Sequence, residues 1–154
     1  MDSLASARTP AIALFTHASW WDPLAGLMLW RRFLPDRDVF LPMERDQLQR
    51  FKFFRRLGTF GIDPDDPVSL GLMRDHVLDR FAERPASLLG LTPQGRFTDP
   101  RTPIRLRPGA AAIAAAVPGT PTVVTVAIEY VFWQDARPEM LVAVEACEPP
   151  TVAT

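Results

Sequence analysis

Apolar residues recur along this chain with two different periods, and the switches between them lay out its elements. Ala11-Ile12-Ala13-Leu14-Phe15 is a continuous apolar run, the pattern of a buried strand over 11–16. From Leu24 to Leu34 the rhythm turns amphipathic, predicting a helix over about 21–34 with Pro23 tolerated in its first turn. Pro35-Asp36-Arg37-Asp38 then makes a turn, and Val39-Phe40-Leu41 is a short apolar strand. Val68, Leu72, Met73, Val77, Leu78 and Phe81 keep a helical period from Pro67 to about Glu83, and Ser87–Thr92 reads as another short strand. Pro108 and Gly109 open an alanine-rich helix that runs to about Val117. Thr122–Trp133 is a long β-branched strand, 139–146 alternates as another, and Arg137-Pro138 turns the chain between them.

Strand–helix alternation up to residue 117 implies parallel strands joined by crossovers, and the last two strands imply an antiparallel hairpin. The fold class is thus α/β, with a mixed, mostly parallel central sheet flanked by helices and a C-terminal antiparallel strand pair. At 154 residues the chain makes one domain, expected over 11–147, with a flexible lead-in at 1–10 and a flexible tail at 148–154.

One segment fits neither period. Between Met43 and Leu57, the cations Arg45, Arg50, Lys52, Arg55 and Arg56 interleave with Leu48, Phe51, Phe53, Phe54 and Leu57. Such a stretch can lie on an anionic membrane surface through residues 45–56, with rings in the acyl boundary and cations on headgroups. It can equally be a helix that buries its phenylalanines and solvates its arginines. Gly58 to Pro64 then breaks it with a turn or a short strand.

Composition narrows the classes of function. The net charge of −1 and the lack of a basic tail argue against a nucleic-acid binder. A single cysteine, Cys147, excludes an internal disulfide framework and a Cys-rich zinc site, and its place in an alternating strand marks it as core. No apolar run is long enough to span a bilayer and no signal peptide opens the sequence, so the expected location is the cytosol or the cytoplasmic face of a membrane. His76 falls on the helix after Pro67, beside Asp75 and Asp79, and needs no functional reading.

The candidate chemistry sits in the turn between the first strand and the first helix, Thr16-His17-Ala18-Ser19-Trp20-Trp21-Asp22. A neutral imidazole at His17 suits proton abstraction from a hydroxyl near neutral pH. A carboxylate at Asp22, hydrogen-bonded to the far nitrogen, would fix the tautomer and balance the imidazolium. Ser19 lacks a Gly-x-Ser-x-Gly elbow and reads as the helix N-cap rather than a nucleophile. On spacing alone a structural histidine is the commoner account of the pair. Further along, the turn Pro93-Gln94-Gly95-Arg96-Phe97 follows a strand directly, and its glycine permits close backbone approach. The loop 98–107 carries Arg101, Arg105 and Arg107, at the strand end where open α/β sheets bind ligands.

Four blocks in order resemble the glycerophosphate and lysophosphatidic acid acyltransferase family. The family's His-x4-Asp block matches His17 to Asp22, with Ser19 at the family's serine. Its Gly-x-Phe block is similar to Gly58-Thr59-Phe60, and its Phe-Pro-Glu-Gly block to Thr92-Pro93-Gln94-Gly95. A Lys/Arg-x-Gly-Ala helix start resembles Arg107-Pro108-Gly109-Ala110, and the Val-Pro-type strand resembles Thr120-Pro121-Thr122-Val123-Val124. The resemblance covers roughly residues 10–147.

It implies a lipid-metabolic enzyme, of the phospholipid-biosynthesis kind, moving a fatty acyl group from acyl-CoA or acyl carrier protein to a hydroxyl of a lipid-like acceptor. His17 would be the base and Asp22 its orienter, with Ser19, Pro93, Gln94, Gly95 and Arg96 around the substrates. The Pro93-Gln94-Gly95 turn would supply oxyanion donors. Metal and cofactor are none, because the acyl thioester is a substrate. The family's second block is commonly followed by an arginine that holds an acceptor phosphate, and Pro64 stands there. Gln94 replaces the acid of the third block and Phe97 replaces its arginine, so the expected acceptor is an uncharged alcohol rather than a glycerol phosphate. The rival expectation is a catalytically inactive domain of the same fold that binds lipid or a protein partner, favoured by the altered blocks and the short stretch before the first strand.

Overall fold

The computed structural model of the chain describes residues 8–134 and 136–147. Residues 1–7 of the expected lead-in and the whole 148–154 tail lie outside them. Thr9 and Pro10 are held in place: the Thr9 carbonyl accepts from the Arg37 guanidinium, and the Pro10 carbonyl from the Thr122 N–H.

Six strands form one sheet: β1 (Ala11–Phe15), β2 (Val39–Glu44), β3 (Thr59–Ile62), β4 (Leu88–Leu91), β5 (Thr122–Phe132) and β6 (Pro138–Cys147). Their spatial order is β3-β2-β4-β1-β5-β6, parallel throughout except for the β5–β6 hairpin. The α/β class, the mixed sheet and the antiparallel C-terminal pair are as the periodicity predicts. β1 lies between β4 and β5 and is covered on both faces, which is why its residues read as one unbroken apolar run.

Helix α1 (Asp22–Phe33) and a 3-10 turn, Lys52–Leu57, cover one face of the sheet, where Ala11, Ala13, Val124 and Val126 are buried. Beyond β2, the short helix α2 (Arg45–Arg50) leads into that turn. On the opposite face, α3 (Pro67–Glu83) and α4 (Gly109–Ala116) bury Ile12, Phe40, Leu89 and Val123 with Val77, Phe81 and Ile113. Asp66 caps α3 by accepting from the Val68 and Ser69 N–H groups, ahead of Pro67 in the first turn. His76 packs its ring against Phe40 and Phe60 on that face, a structural setting.

The Met43–Leu57 segment is not one helix. β2 runs on through Pro42, Met43 and Glu44, because Leu41–Glu44 pair with Thr59–Ile62. α2 then stops at Phe51, whose backbone leaves the helical region before the 3-10 turn begins. Leu48 and Phe54 are core, Phe51 is half-buried and Phe53 is exposed, so the segment divides its rings between interior and surface.

Candidate functional site

β1 ends at Phe15, and the next residues are fastened to β5. The Thr16 N–H donates to the Val126 carbonyl, and the Thr16 hydroxyl accepts from the Ile128 N–H. His17 therefore leaves the C-terminal end of a central strand from a fixed point. Its own backbone is pinned on both sides: its N–H donates to Gln94 Oε1 at 2.7 Å, and its carbonyl accepts from the Thr98 N–H at 2.8 Å. These bonds carry the Pro93–Phe97 turn against the His17 loop, so β1 and β4 bring the two candidate segments together at one end of the sheet. Phe97 completes the contact, its ring lying 4.3 Å from the imidazole between centroids.

The imidazole and the carboxylate meet. His17 Nδ1 donates to Asp22 Oδ2 at 2.9 Å, which leaves Nε2 with no partner among the described residues. Asp22 is 5% exposed and takes four donors: His17 Nδ1 and the Ala18 and Ser19 N–H groups on Oδ2, and the Tyr130 hydroxyl on Oδ1 at 2.8 Å. Burial pushes its carboxyl upward, but the hydrogen bonds from His17, the Ser19 amide and Tyr130 outweigh burial and hold it below the ordinary value. Asp22 is also the first residue of α1, where the helix N-terminus favours an anion. Tyr130 is pushed the other way, first by burial and then by the adjacent Asp22 carboxylate, so its phenol stays protonated as a donor.

One detail differs from the sequence reading. Ser19 does not cap α1: the N-cap residue is Trp21, without a side-chain bond, and the Ser19 hydroxyl accepts the Trp21 N–H at 3.2 Å. The reason is that Asp22 reaches back over the turn and binds the amides of Ala18 and Ser19, which places the helix start later. In the Pro93-Gln94-Gly95 turn, Pro93 has no N–H and the Gly95 N–H is spent on the Thr92 carbonyl. Gly95 adopts φ 68°, and the Arg107 side chain lies where its Cβ would be. Arg107 in turn donates to the Pro64 carbonyl and to Asp65. Arg96 is exposed beyond the turn.

Tyr130 was not among the sequence candidates. The available signal was that it is the chain's single tyrosine, on the Val126–Ile128 face of β5 and past the point where β1 ends, where a phenol needs a polar partner.

From this pair an apolar cavity follows α1 along the sheet, from Asp22 and Pro23 to Leu34. Phe15, Leu29, Trp30, Leu41, Phe54 and Val126 line it. The helix beside it has twelve residues and is about 18 Å long.

Comparison with known protein families gives a match to the family model described as Acyltransferase over residues 2–129. The chain belongs to the acyltransferase family. No curated protein matches it in sequence. Membership supports a general acyltransferase role, with an acyl donor and a hydroxylated acceptor. The matched segment of this acyltransferase domain holds His17, Asp22 and the Gln94 turn and stops one residue short of Tyr130. Among the described residues, no helix is long and apolar enough to cross a membrane.

Proposed function

We propose that this acyltransferase moves a fatty acyl group from a thioester, of CoA or acyl carrier protein, to the hydroxyl of an uncharged lipid-like acceptor. The observation that carries the reading is the His17–Asp22 bond in the lining of an apolar cavity. With Nδ1–H committed to the carboxylate, Nε2 is the basic nitrogen and is free to accept a hydroxyl proton. As that proton moves to Nε2, the acceptor oxygen bonds to the thioester carbonyl carbon and the carbonyl electrons move onto oxygen. Collapse of the tetrahedral species re-forms the carbonyl and breaks the C–S bond, and the Nε2 proton goes to the leaving thiolate. No acyl-enzyme is needed, since Ser19 is occupied in its turn and Cys147 is a partly buried strand residue donating to the Val123 carbonyl. Asp22 is a positioning residue that holds the tautomer and balances the imidazolium.

The developing oxyanion needs donors, and those the proposal assigns are the side-chain amide of Gln94 and the guanidinium of Arg96. Pro93 and Gly95 shape the turn that carries them, and Ser19 holds the loop beneath His17. The acyl chain lies in the cavity along α1. Two features favour an uncharged acceptor. Phe97 lays an apolar ring on His17, and Pro64 offers a carbonyl that already takes Arg107. A phosphate dianion would find an arginine engaged by Asp65 and an apolar neighbour in place of a second one.

The test is release of free thiol from acyl-CoA in the presence of lysophosphatidic acid or of an uncharged alcohol of equal chain length. Faster turnover with the uncharged acceptor is expected. A preference for lysophosphatidic acid that disappears in Arg96→Gln would reverse the acceptor assignment. Lipid uptake without any thiol release would leave a binding domain rather than an enzyme.

A further inference from the structure

The outer face of α1 is apolar where a soluble helix is ordinarily polar. Trp21 and Met28, two turns apart on one helical face, are 61% and 64% exposed, with Leu24 between them. Trp20 extends this face and packs its ring 4.9 Å from that of Phe51. The surface therefore continues onto the 3-10 turn, where the Phe53 ring is exposed and stacks on Phe54.

Cations flank these rings along the same elements. Arg31 and Arg32 stand in the last turn of α1, and Arg50, Lys52, Arg55 and Arg56 on the segment behind Phe51 and Phe53. Among the described residues none of these six is in a salt bridge, whereas Arg45 at the far edge is held by Asp63. Residues 45–57 carry five cations and one carboxylate in a chain whose net charge is −1, so positive charge is concentrated here.

We propose that this surface docks on an anionic lipid bilayer, with Trp20, Trp21, Leu24, Met28 and Phe53 seated at the headgroup–acyl boundary. Arg31, Arg32, Arg50, Lys52, Arg55 and Arg56 meet the lipid phosphates. Tryptophan prefers that boundary because its ring is apolar and its N–H is polar, and clustered cations add attraction to anionic headgroups. A protein interface excludes charge from its centre, while here cations and rings interleave along the same short segment. The docked face is formed by the elements that wall the apolar cavity, through Leu27 and Leu29 on α1 and Phe54 and Leu57 on the turn. The bilayer would lie against the layer that encloses the apolar cavity. The surface stands on its own residues and needs no particular chemistry at His17.

Sedimentation with vesicles of phosphatidylcholine, alone or mixed with phosphatidylglycerol, tests it without reference to activity. Binding is expected to the mixed vesicles, weakened by added salt, and at least about tenfold poorer to the neutral ones. Arg50→Gln/Arg55→Gln/Arg56→Gln should lose about tenfold or more in vesicle affinity. Trp21→Ala/Met28→Ser should lose binding while unfolding at the wild-type temperature, since both side chains are exposed. In the wild type, indole emission should shift to the blue when mixed vesicles are added. The proposal is overturned if wild type stays in the supernatant, or if either variant binds as wild type does. It is equally overturned by lipid-free self-association that Trp21→Ala/Met28→Ser abolishes, which would assign the face to a second copy of the chain.

Discussion

His17 is held at four points: ring to Asp22, backbone to Gln94 and Thr98, and ring face to Phe97. Replacing the imidazole removes the proposed base without disturbing those backbone bonds. His17→Ala is expected to fold and to lose about 10²–10⁴ in acyl transfer, measured as thiol release. Asp22→Asn should be nearly as poor, because an amide can hold Nδ1 but cannot balance an imidazolium. The same variant reports on stability. Since the Asp22 carboxyl is lowered in the folded state, it contributes stability that is fully present above its ordinary value of 3.8 and is lost as pH falls through the lowered value. The difference in unfolding free energy between wild type and Asp22→Asn should therefore be largest near neutrality and narrow in acid, which denaturant titrations across pH would measure. Tyr130→Phe removes one of four donors to a buried carboxylate. It should cost about 1.5–3 kcal/mol of stability and reduce acyl transfer less than His17→Ala does. An activity unchanged in His17→Ala would place the base elsewhere.

At the scale of elements, local spacing carried what was legible. His17 and Asp22 lie five residues apart across one turn, so their meeting needed only a strand, a turn and a helix. The strand–helix alternation is likewise local, and it predicts the sheet and its C-terminal hairpin. What depended on distant partners was hidden. β2 is twice the length its apolar triplet suggests, because residues 42–44 are strand only by virtue of pairing with Phe60–Ile62. Ser19 looked like a cap because nothing in its type reveals that Asp22 would take the neighbouring amides. Tyr130 joins Asp22 across 108 residues, and no short-range pattern reports such a bond. Gly58 marks where the Met43–Leu57 segment ends. Its φ of 79° closes the 3-10 turn, and a Cβ there would overlap the Val39 carbonyl oxygen. Gly58→Ala is expected to lower unfolding free energy by about 2 kcal/mol or more, from backbone strain and overpacking together. A thermal midpoint equal to wild type would mean the turn can rearrange at little cost.

Taken as a whole, the molecule is a sheet with two unlike faces. α3 and α4 pack on one of them, where a second cavity lies beside α4, while α1 and the 3-10 turn leave the apolar channel lined by His17 and Asp22 on the other. Gly26 lines that channel, and a Cβ added there meets only the Phe15 ring, at ordinary contact distance. Gly26→Val should then fold normally while narrowing the channel, and kcat/KM measured across thioesters should shift toward shorter chains. An unchanged chain-length profile would mean the acyl chain lies elsewhere. The central place of β1 has one more consequence, for the order in which the protein can be made. β1 leaves the ribosome before both of its neighbours, residues 88–91 and 122–126, and the residue that completes the Asp22 cluster comes at 130. Until residues 88–130 have been synthesised, β1 lacks one or both of its neighbours and Asp22 lacks its last donor. Such non-local pairing slows folding and leaves an apolar strand exposed on the nascent chain until β5 has emerged.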